Sequence, residues 1–156
     1  MATQVAQSGD EHSELSCIVV PMTGMQLLVP SVCIAEILPW RRFRMRDDGP
    51  SWYLGHMGWR GESVPVVRFE RLNQPRSDCP RSGRCLVIMN RSGNPNGQPF
   101  YALVADGLPR MVQLTQDDVS YDDSKLGRAE AAVLRLGTES ATVPNLLFLE
   151  QQIAAV

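Results

Sequence analysis

The sequence predicts a mainly β protein, an antiparallel barrel or sandwich. About nine short runs rich in Val, Ile, Leu and aromatic residues recur at close spacing. Turn chemistry separates them, including Thr23-Gly24, Asp48-Gly49-Pro50, Arg60-Gly61, Asp106-Gly107 and Gly137. Little helical periodicity lies between the runs. A parallel α/β sheet needs crossover helices of about ten or more residues, and none is legible here.

Taken in order, residues 15–22 read as a strand rich in Ile and Val, and residues 25–29 as its return across Thr23-Gly24. Pro30-Ser31 is a helix start with Ser31 as N-cap. Residues 32–38 are therefore expected to form a short apolar helix that Pro39 ends. Residues 39–50 form an exposed connector carrying Arg41, Arg42, Arg44 and Arg46. A single helical turn is expected over 52–54, stopped at Gly55. Residues 55–59 and 64–69 form a hairpin across a four-residue connection, 60–63. Pro65 has no N–H to donate, so its strand lies at an edge or pairs on one side only there.

Residues 73–84 form a loop dense in Pro, Ser, Gly and Arg. With no apolar face to bury, it is expected to tolerate change. Residues 85–89 are a buried-strand run, 91–99 a turn cluster, and 100–105 the next strand. Asp106-Gly107 turns that strand, with 108–114 as its return. Residues 115–128 are polar and acidic. Residues 131–136 and 143–149 are the final strands, followed by a short terminal helix over 150–156. Alternation places Val64, Val66 or Val67, Leu86, Ile88, Leu103 and Leu147 in the core.

The chain has 156 residues, enough for one ordinary domain to bury a core without metal or disulfide staples. No apolar run approaches the roughly 18 residues of a membrane span. Residues 1–14 are polar and lack the basic end and apolar stretch of a secretory signal. They are read as a disordered arm on a cytoplasmic protein. Cys17, Cys33, Cys79 and Cys85 show no Cys-x-x-Cys spacing and are read as reduced thiols; Cys79 and Cys85 flank one loop and could in principle pair.

Residues 41–91 hold eleven arginines against five acids, whereas residues 92–156 carry eight acids against four bases. A basic centre between acidic flanks steers acidic partners. Lys125 is the only lysine, so a genome-wide preference for arginine also explains part of the pattern.

Catalytic chemistry is sparse. The histidines are His12, in the polar arm, and His56, which has no nucleophile beside it in sequence. Gly55, Gly58 and Gly61 do not form the dinucleotide fingerprint, and no phosphate loop is present. The paired acids Asp117-Asp118 and Asp122-Asp123 read as a solvated loop rather than a metal site. A β protein of this kind is usually a recognition module.

The segment Pro50-Ser51-Trp52-Tyr53-Leu54-Gly55-His56-Met57-Gly58-Trp59-Arg60-Gly61 resembles the signature of the CheW-like family, in which an apolar turn and a glycine lead into Asn-Leu-Arg-Gly. Val64-Pro65-Val66-Val67 is similar to that family's Val-Pro-Ile-Val strand. Leu28-Val29-Pro30 through Ile34-Ala35-Glu36-Ile37 resembles its apolar strand followed by Val-x-Glu-Ile. Leu103-Val104-Ala105-Asp106-Gly107 resembles its Val-Asp turn, and Val143-Pro144 through Leu149 its last strand. The departures are Gly58-Trp59 for Asn-Leu, Arg68 for an acid, and Asn145 or Phe148 for an acid in the final strand.

The resemblance spans roughly residues 15–156. It implies two pseudo-symmetric five-stranded β-barrels around a shared core, with few short helices. It also implies no enzyme activity and no cofactor. The implied partners are the regulatory domain of a CheA-type histidine kinase and the cytoplasmic tip of chemoreceptors. Ile34, Glu36, Gly55, Arg60 and Gly61 fall at its coupling positions. Accessory members of the ChpC type serve chemosensory systems that govern type IV pili, a role that suits this short, divergent chain.

The physics of these positions agrees. Arg60 at a hairpin tip presents a planar donor fork to a partner's carboxylate or carbonyls, or else bonds its own turn. Gly61 can take the positive φ such a turn demands. Trp52 and Trp59 read as core more than interface. The alternative function is nucleic-acid binding. The arginines of 41–46 and 76–91, with Trp40, Phe43 and Trp52, are residue types used on single strands, although the acidic pI of about 5.7 opposes it.

Overall fold

Runs with few charges become strands that are buried on both faces. The computed structural model describes residues 14–93, 97–122 and 125–156. The arm expected over 1–14 lies, Glu14 apart, outside the described residues, as do His12 and the centre of the 91–99 turn cluster.

Twelve strands are present among the described residues: β1 (Leu15–Met22), β2 (Met25–Pro30), β3 (Ile34–Pro39), β4 (Arg44–Met45), β5 (Tyr53–Trp59), β6 (Glu62–Val67), β7 (Cys85–Asn90), β8 (Phe100–Ala105), β9 (Arg110–Leu114), β10 (Val119–Tyr121), β11 (Glu130–Leu136) and β12 (Glu139–Pro144). Two helices accompany them, α1 (Phe69–Asn73) and α2 (Leu146–Ala154). Among the described residues no helix is long and apolar enough to cross a membrane.

The strands form two sheets of identical plan. One runs β4-β5-β6-β8-β7-β3 and the other β10-β11-β12-β2-β1-β9. In each, an antiparallel three-strand meander joins a second antiparallel set of three, β8-β7-β3 or β2-β1-β9, through one parallel contact, β6 with β8 or β12 with β2. A helix follows the meander in both cases. Each sheet has five longer strands and one very short one, β4 or β10. The edge strands of each sheet are consecutive in the chain, joined by residues 40–43 or 115–118, so each sheet curls toward closure. The chain begins inside its second barrel, because β1 and β2 complete the sheet that β9–β12 start. This offset conceals the repeat from a linear reading.

Three clusters of apolar side chains result. Leu54, Met57, Trp59, Val64, Val66, Leu86, Ile88, Ala102 and Val104 fill the first barrel. Cys17, Val19, Leu28 and Ala141 form a smaller core inside the second. Between the sheets lies the largest cluster, including Val20, Leu27, Tyr53, Val67, Phe69, Val87, Tyr101 and Leu103. Odd and even residues of β1, β2, β7 and β8 thus face different cores. For this reason Cys17-Ile18-Val19-Val20 and Cys85-Leu86-Val87-Ile88-Met89 carry no alternating polar residue.

Several expectations need correction. Residues 34–39 form a strand, not a helix, because the edge of β7 pairs with them; only Ser31–Cys33 make a helical turn, and Pro30 rather than Ser31 precedes it. Residues 53–59 are strand throughout, replacing the turn expected over 52–54. The β5–β6 connection is two residues, Arg60 and Gly61, because Trp59 pairs with Glu62 and Gly58 with Ser63. The strand read over 64–69 stops at Val67, and Phe69–Asn73 turn as α1. Residues 110–114 do not return along β8 but pair with β1 in the other sheet. The final strand ends at Pro144, where Asn145 caps α2 by accepting from the Phe148 N–H at 3.0 Å. Leu147 therefore lies on a helix and is 48% exposed, whereas Val64, Val66, Val67, Leu86, Ile88 and Leu103 are buried. Pro65 does sit where β6 pairs on one side, with His56. All four cysteines are free, so Cys79 and Cys85 do not pair.

The 73–84 loop is not a free surface loop. The Arg71 guanidinium donates to the Cys79 carbonyl at 2.7 and 3.1 Å. Arg81 donates to the Arg46 carbonyl at 2.7 Å, and Cys79 is buried. Arg68 holds it most firmly. Its side chain is 0% exposed and donates to the Pro80 and Ser82 carbonyls at 2.7 and 3.1 Å. The same guanidinium reaches Glu70 Oε2 at 2.7 Å, Asp106 Oδ1 at 2.6 Å and the Val104 carbonyl at 3.4 Å. Those five contacts match its five N–H groups. Glu70 and Asp106 also accept from Thr23 in the β1–β2 turn, so one buried cation stitches both sheets and the loop together.

Candidate functional site

The β5–β6 hairpin ends in a two-residue turn with φ of 47° at Arg60 and 78° at Gly61. Positive φ at both central residues is the tight hairpin geometry whose twist matches the flanking strands. Gly61 adopts it without strain, while Arg60 is the only described residue other than glycine with positive φ. The turn points the Arg60 side chain across to β3.

There it meets Glu36. Arg60 Nη2 donates to Glu36 Oε1 at 3.0 Å, and the Trp59 indole N–H donates to the same oxygen at 3.0 Å. The guanidinium also lies over the Trp59 ring, 5.0 Å from its centroid. The Trp59 ring is in turn edge-on to Phe100 at 4.9 Å, and its body belongs to the first barrel's core. The result is a fixed, partly exposed guanidinium, oriented by one carboxylate and one aromatic face. The Arg60 side chain is 70% exposed and that of Glu36 34%. Exposed Arg42 and Arg44 lie on the neighbouring connector, and Arg41 donates to the Gly58 carbonyl. The local field is therefore positive and suits an acidic or carbonyl-rich partner.

Glu36, Arg60 and Gly61 come together; Ile34 and Gly55 do not join them. A register irregularity between Ile34 and Glu36 turns Ile34 onto the core shared by the two sheets. Gly55 has φ of 151°, and a Cβ there would lie 2.0 Å from the Arg44 carbonyl oxygen. Its requirement is the close backbone approach of β4 rather than any surface contact. The sequence reading missed Trp59 as a member of the site. Its position directly before Arg60-Gly61 was the available signal, because a polar N–H on a buried ring needs a partner.

His56 lines an open depression with Arg44, Trp59 and Arg60, and its Nε2 lies 2.8 Å from the Tyr53 hydroxyl. Burial pushes the Tyr53 phenol above its ordinary range. The arginine and aromatic set weighed for nucleic acid is dispersed. Trp52 is buried, and Trp40 and Phe43 pack edge to face at 5.5 Å against the first barrel's core. Arg46 pairs with Asp48 and Arg81 with Asp47, while Arg68 and Arg71 are committed to carbonyls. A stacking platform needs exposed ring faces beside free cations.

A family model described as the CheW-like domain matches residues 16–151. The chain belongs to the CheW-like domain family. Within solved CheW-like structures, the scaffolding protein TtCheW from Thermoanaerobacter tengcongensis shares the fold with a TM-score of 0.70 at 12% identity, over 87% of this chain and 92% of that one. No curated protein matches the chain. At that identity the likeness carries the fold, including the pair of barrels. Membership in the CheW-like family carries a chemotaxis scaffold role in general terms, and the Glu36–Arg60 cluster is this CheW-like chain's own candidate contact.

Proposed function

We propose that this chain is a non-catalytic cytoplasmic adaptor that couples the cytoplasmic tips of chemoreceptors to the regulatory domain of a CheA-type histidine kinase. Residues 15–156 act as one unit, and the surface around Glu36, Arg60 and Gly61 makes the contact. The observation that carries the reading is the Arg60 guanidinium, held at a hairpin tip by Glu36 and Trp59 in a family of signalling scaffolds. A preorganised fork with most of its surface open loses little entropy when it meets a partner's carboxylate. Ile34 and Gly55 contribute indirectly, by seating β3 on the shared core and by letting β4 approach β5. The divergence at Gly58-Trp59 and Arg68 further suits an accessory role in type IV pilus control.

The test is direct titration of the purified chain with a CheA-type regulatory domain and, separately, with a receptor-tip fragment from the same cell. Saturable binding to both is expected, weakened when Arg60 is replaced. Binding to neither would remove the adaptor reading. Loss of surface motility on deletion, without loss of swimming chemotaxis, would support the pilus role.

A further inference from the structure

The two barrels share a plan but not a filling. Aligned on their hairpin turns, β11 and β12 correspond to β5 and β6, and β1 to β7. Leu134 and Leu136 then stand where the first barrel has Met57 and Trp59, Ala141 where it has Val64, and Cys17 and Val19 where it has Leu86 and Ile88. The first barrel is closed further by Trp40, Phe43 and Phe100, while among the described residues no aromatic ring belongs to the second barrel's inner cluster and only the exposed Tyr121 lines its opening. Leu28 is the exception in size, standing where the first barrel has Ala102. Protein interiors are normally packed to the density of organic crystals, so a barrel without the aromatic rings and with smaller side chains at most matched positions leaves space.

That space is present. A cavity of about 670 Å³ opens inside the second barrel between β9 and β10. All six strands contribute to it, through Cys17, Leu28, Leu114, Val119, Leu134 and Val143 among others. Its volume falls within the roughly 300–1,000 Å³ of small-molecule sites. Among the described residues, Glu14 at the mouth is the only carboxylate and no cation lines the cavity. Exposed Asp117 and Asp118 lie on the adjoining rim with one cation, Arg135, and the nearby Arg110 is neutralised by Glu139 at 2.7 Å, so the mouth as a whole is acidic. An apolar interior with an acidic mouth disfavours fatty-acid-like anions and fits an apolar body with a cationic head.

We infer that the second barrel is a binding site for a small apolar amine, with the chain in the barrel and the ammonium at Glu14. The site lies in the sheet opposite to the one that carries Arg60, and it does not depend on the adaptor reading. The test uses the full chain with decylamine and decanoate as probes, below their aggregation concentrations, followed by amide NMR and calorimetry. Decylamine should bind saturably, about tenfold or more tighter than decanoate, and perturb residues of β1, β9 and β11. Glu14→Gln should bring the two probes within about threefold of each other. Leu134→Phe, which fills the space, should weaken decylamine about tenfold or more with the thermal midpoint kept. Val143→Phe serves the same purpose if Leu134→Phe does not fold. Absence of saturable binding, decanoate binding as tightly as decylamine, or full affinity in a folded, filled variant would each overturn the inference.

Discussion

Replacing Arg60 with Ala separates a contact residue from a structural one. In the folded chain the side chain contributes one ion pair with Glu36 at 3.0 Å and one stack on Trp59 at 5.0 Å. The pair is mostly exposed, and such pairs contribute about 0.2–1 kcal/mol. An exposed cation–π contact adds about 0.5–1 kcal/mol. Glu36 keeps its bond from the Trp59 indole, so no buried carboxylate is orphaned. The positive φ is as unfavourable for Ala as for Arg, so the backbone term cancels. Arg60→Ala should therefore cost no more than about 2 kcal/mol, or roughly 4–8 °C in Tm for a chain of this length. Binding to the kinase or receptor fragment should fall further, by about 1–4 kcal/mol, as for an arginine hot spot. Arg60→Lys should recover only part, since an ammonium lacks the planar fork. Arg60→Gly relieves the backbone and should be close to wild type in stability while still binding weakly. Thermal unfolding and titration calorimetry on the same preparations give both numbers. A destabilised Arg60→Ala whose folded fraction binds like wild type would refute the contact.

Three further outcomes are expected. Leu86, 0% exposed inside the first barrel, should cost about 2–5 kcal/mol as Leu86→Ala, whereas exposed Leu147→Ala should change denaturant stability by less than about 0.5 kcal/mol; equal effects would show that the barrel interior is misassigned. Arg68→Ala should cost about 3–5 kcal/mol, because Glu70 and Asp106 then lose the cation between them; chemical denaturation showing under about 1 kcal/mol would contradict the stitching role. The Asp118 carboxylate, held below the ordinary aspartate range by the Thr115 N–H and hydroxyl, stabilises its turn fully above the ordinary pKa near 4 and loses that contribution as pH falls through its lower native value. Carboxyl NMR should give a midpoint below that of a free aspartate, and a midpoint at or above it would show that the cap does not form in solution.

Much of the first sheet was legible, because hairpins and buried strands are local. Residues 85–90 and 100–105 announce themselves by unbroken apolar runs, and Arg60-Gly61 by a turn between alternating flanks. Ile34-Ala35-Glu36-Ile37-Leu38 did not announce itself, since a five-residue apolar run after Pro-Ser fits a helix start as well as a strand. Only the free edge of β7 decides it. The capped α2 was legible in Asn145 but was overridden by the β-branched run before it.

By itself the sequence determined the β class, most of the strand positions, the hairpin turn and a family resemblance. Each depends on residues within a few positions of one another. The tertiary structure alone decided which strands pair, that Glu36 and Trp59 hold Arg60, that Arg68 sits buried among groups from four segments, and that the second barrel is left partly empty. Many of those contacts are long-range: Trp59 and Glu36 are 23 positions apart, and Leu27 and Thr142, paired between β2 and β12, are 115 apart. Their energies come from burial and from complementary partners, which no local pattern encodes.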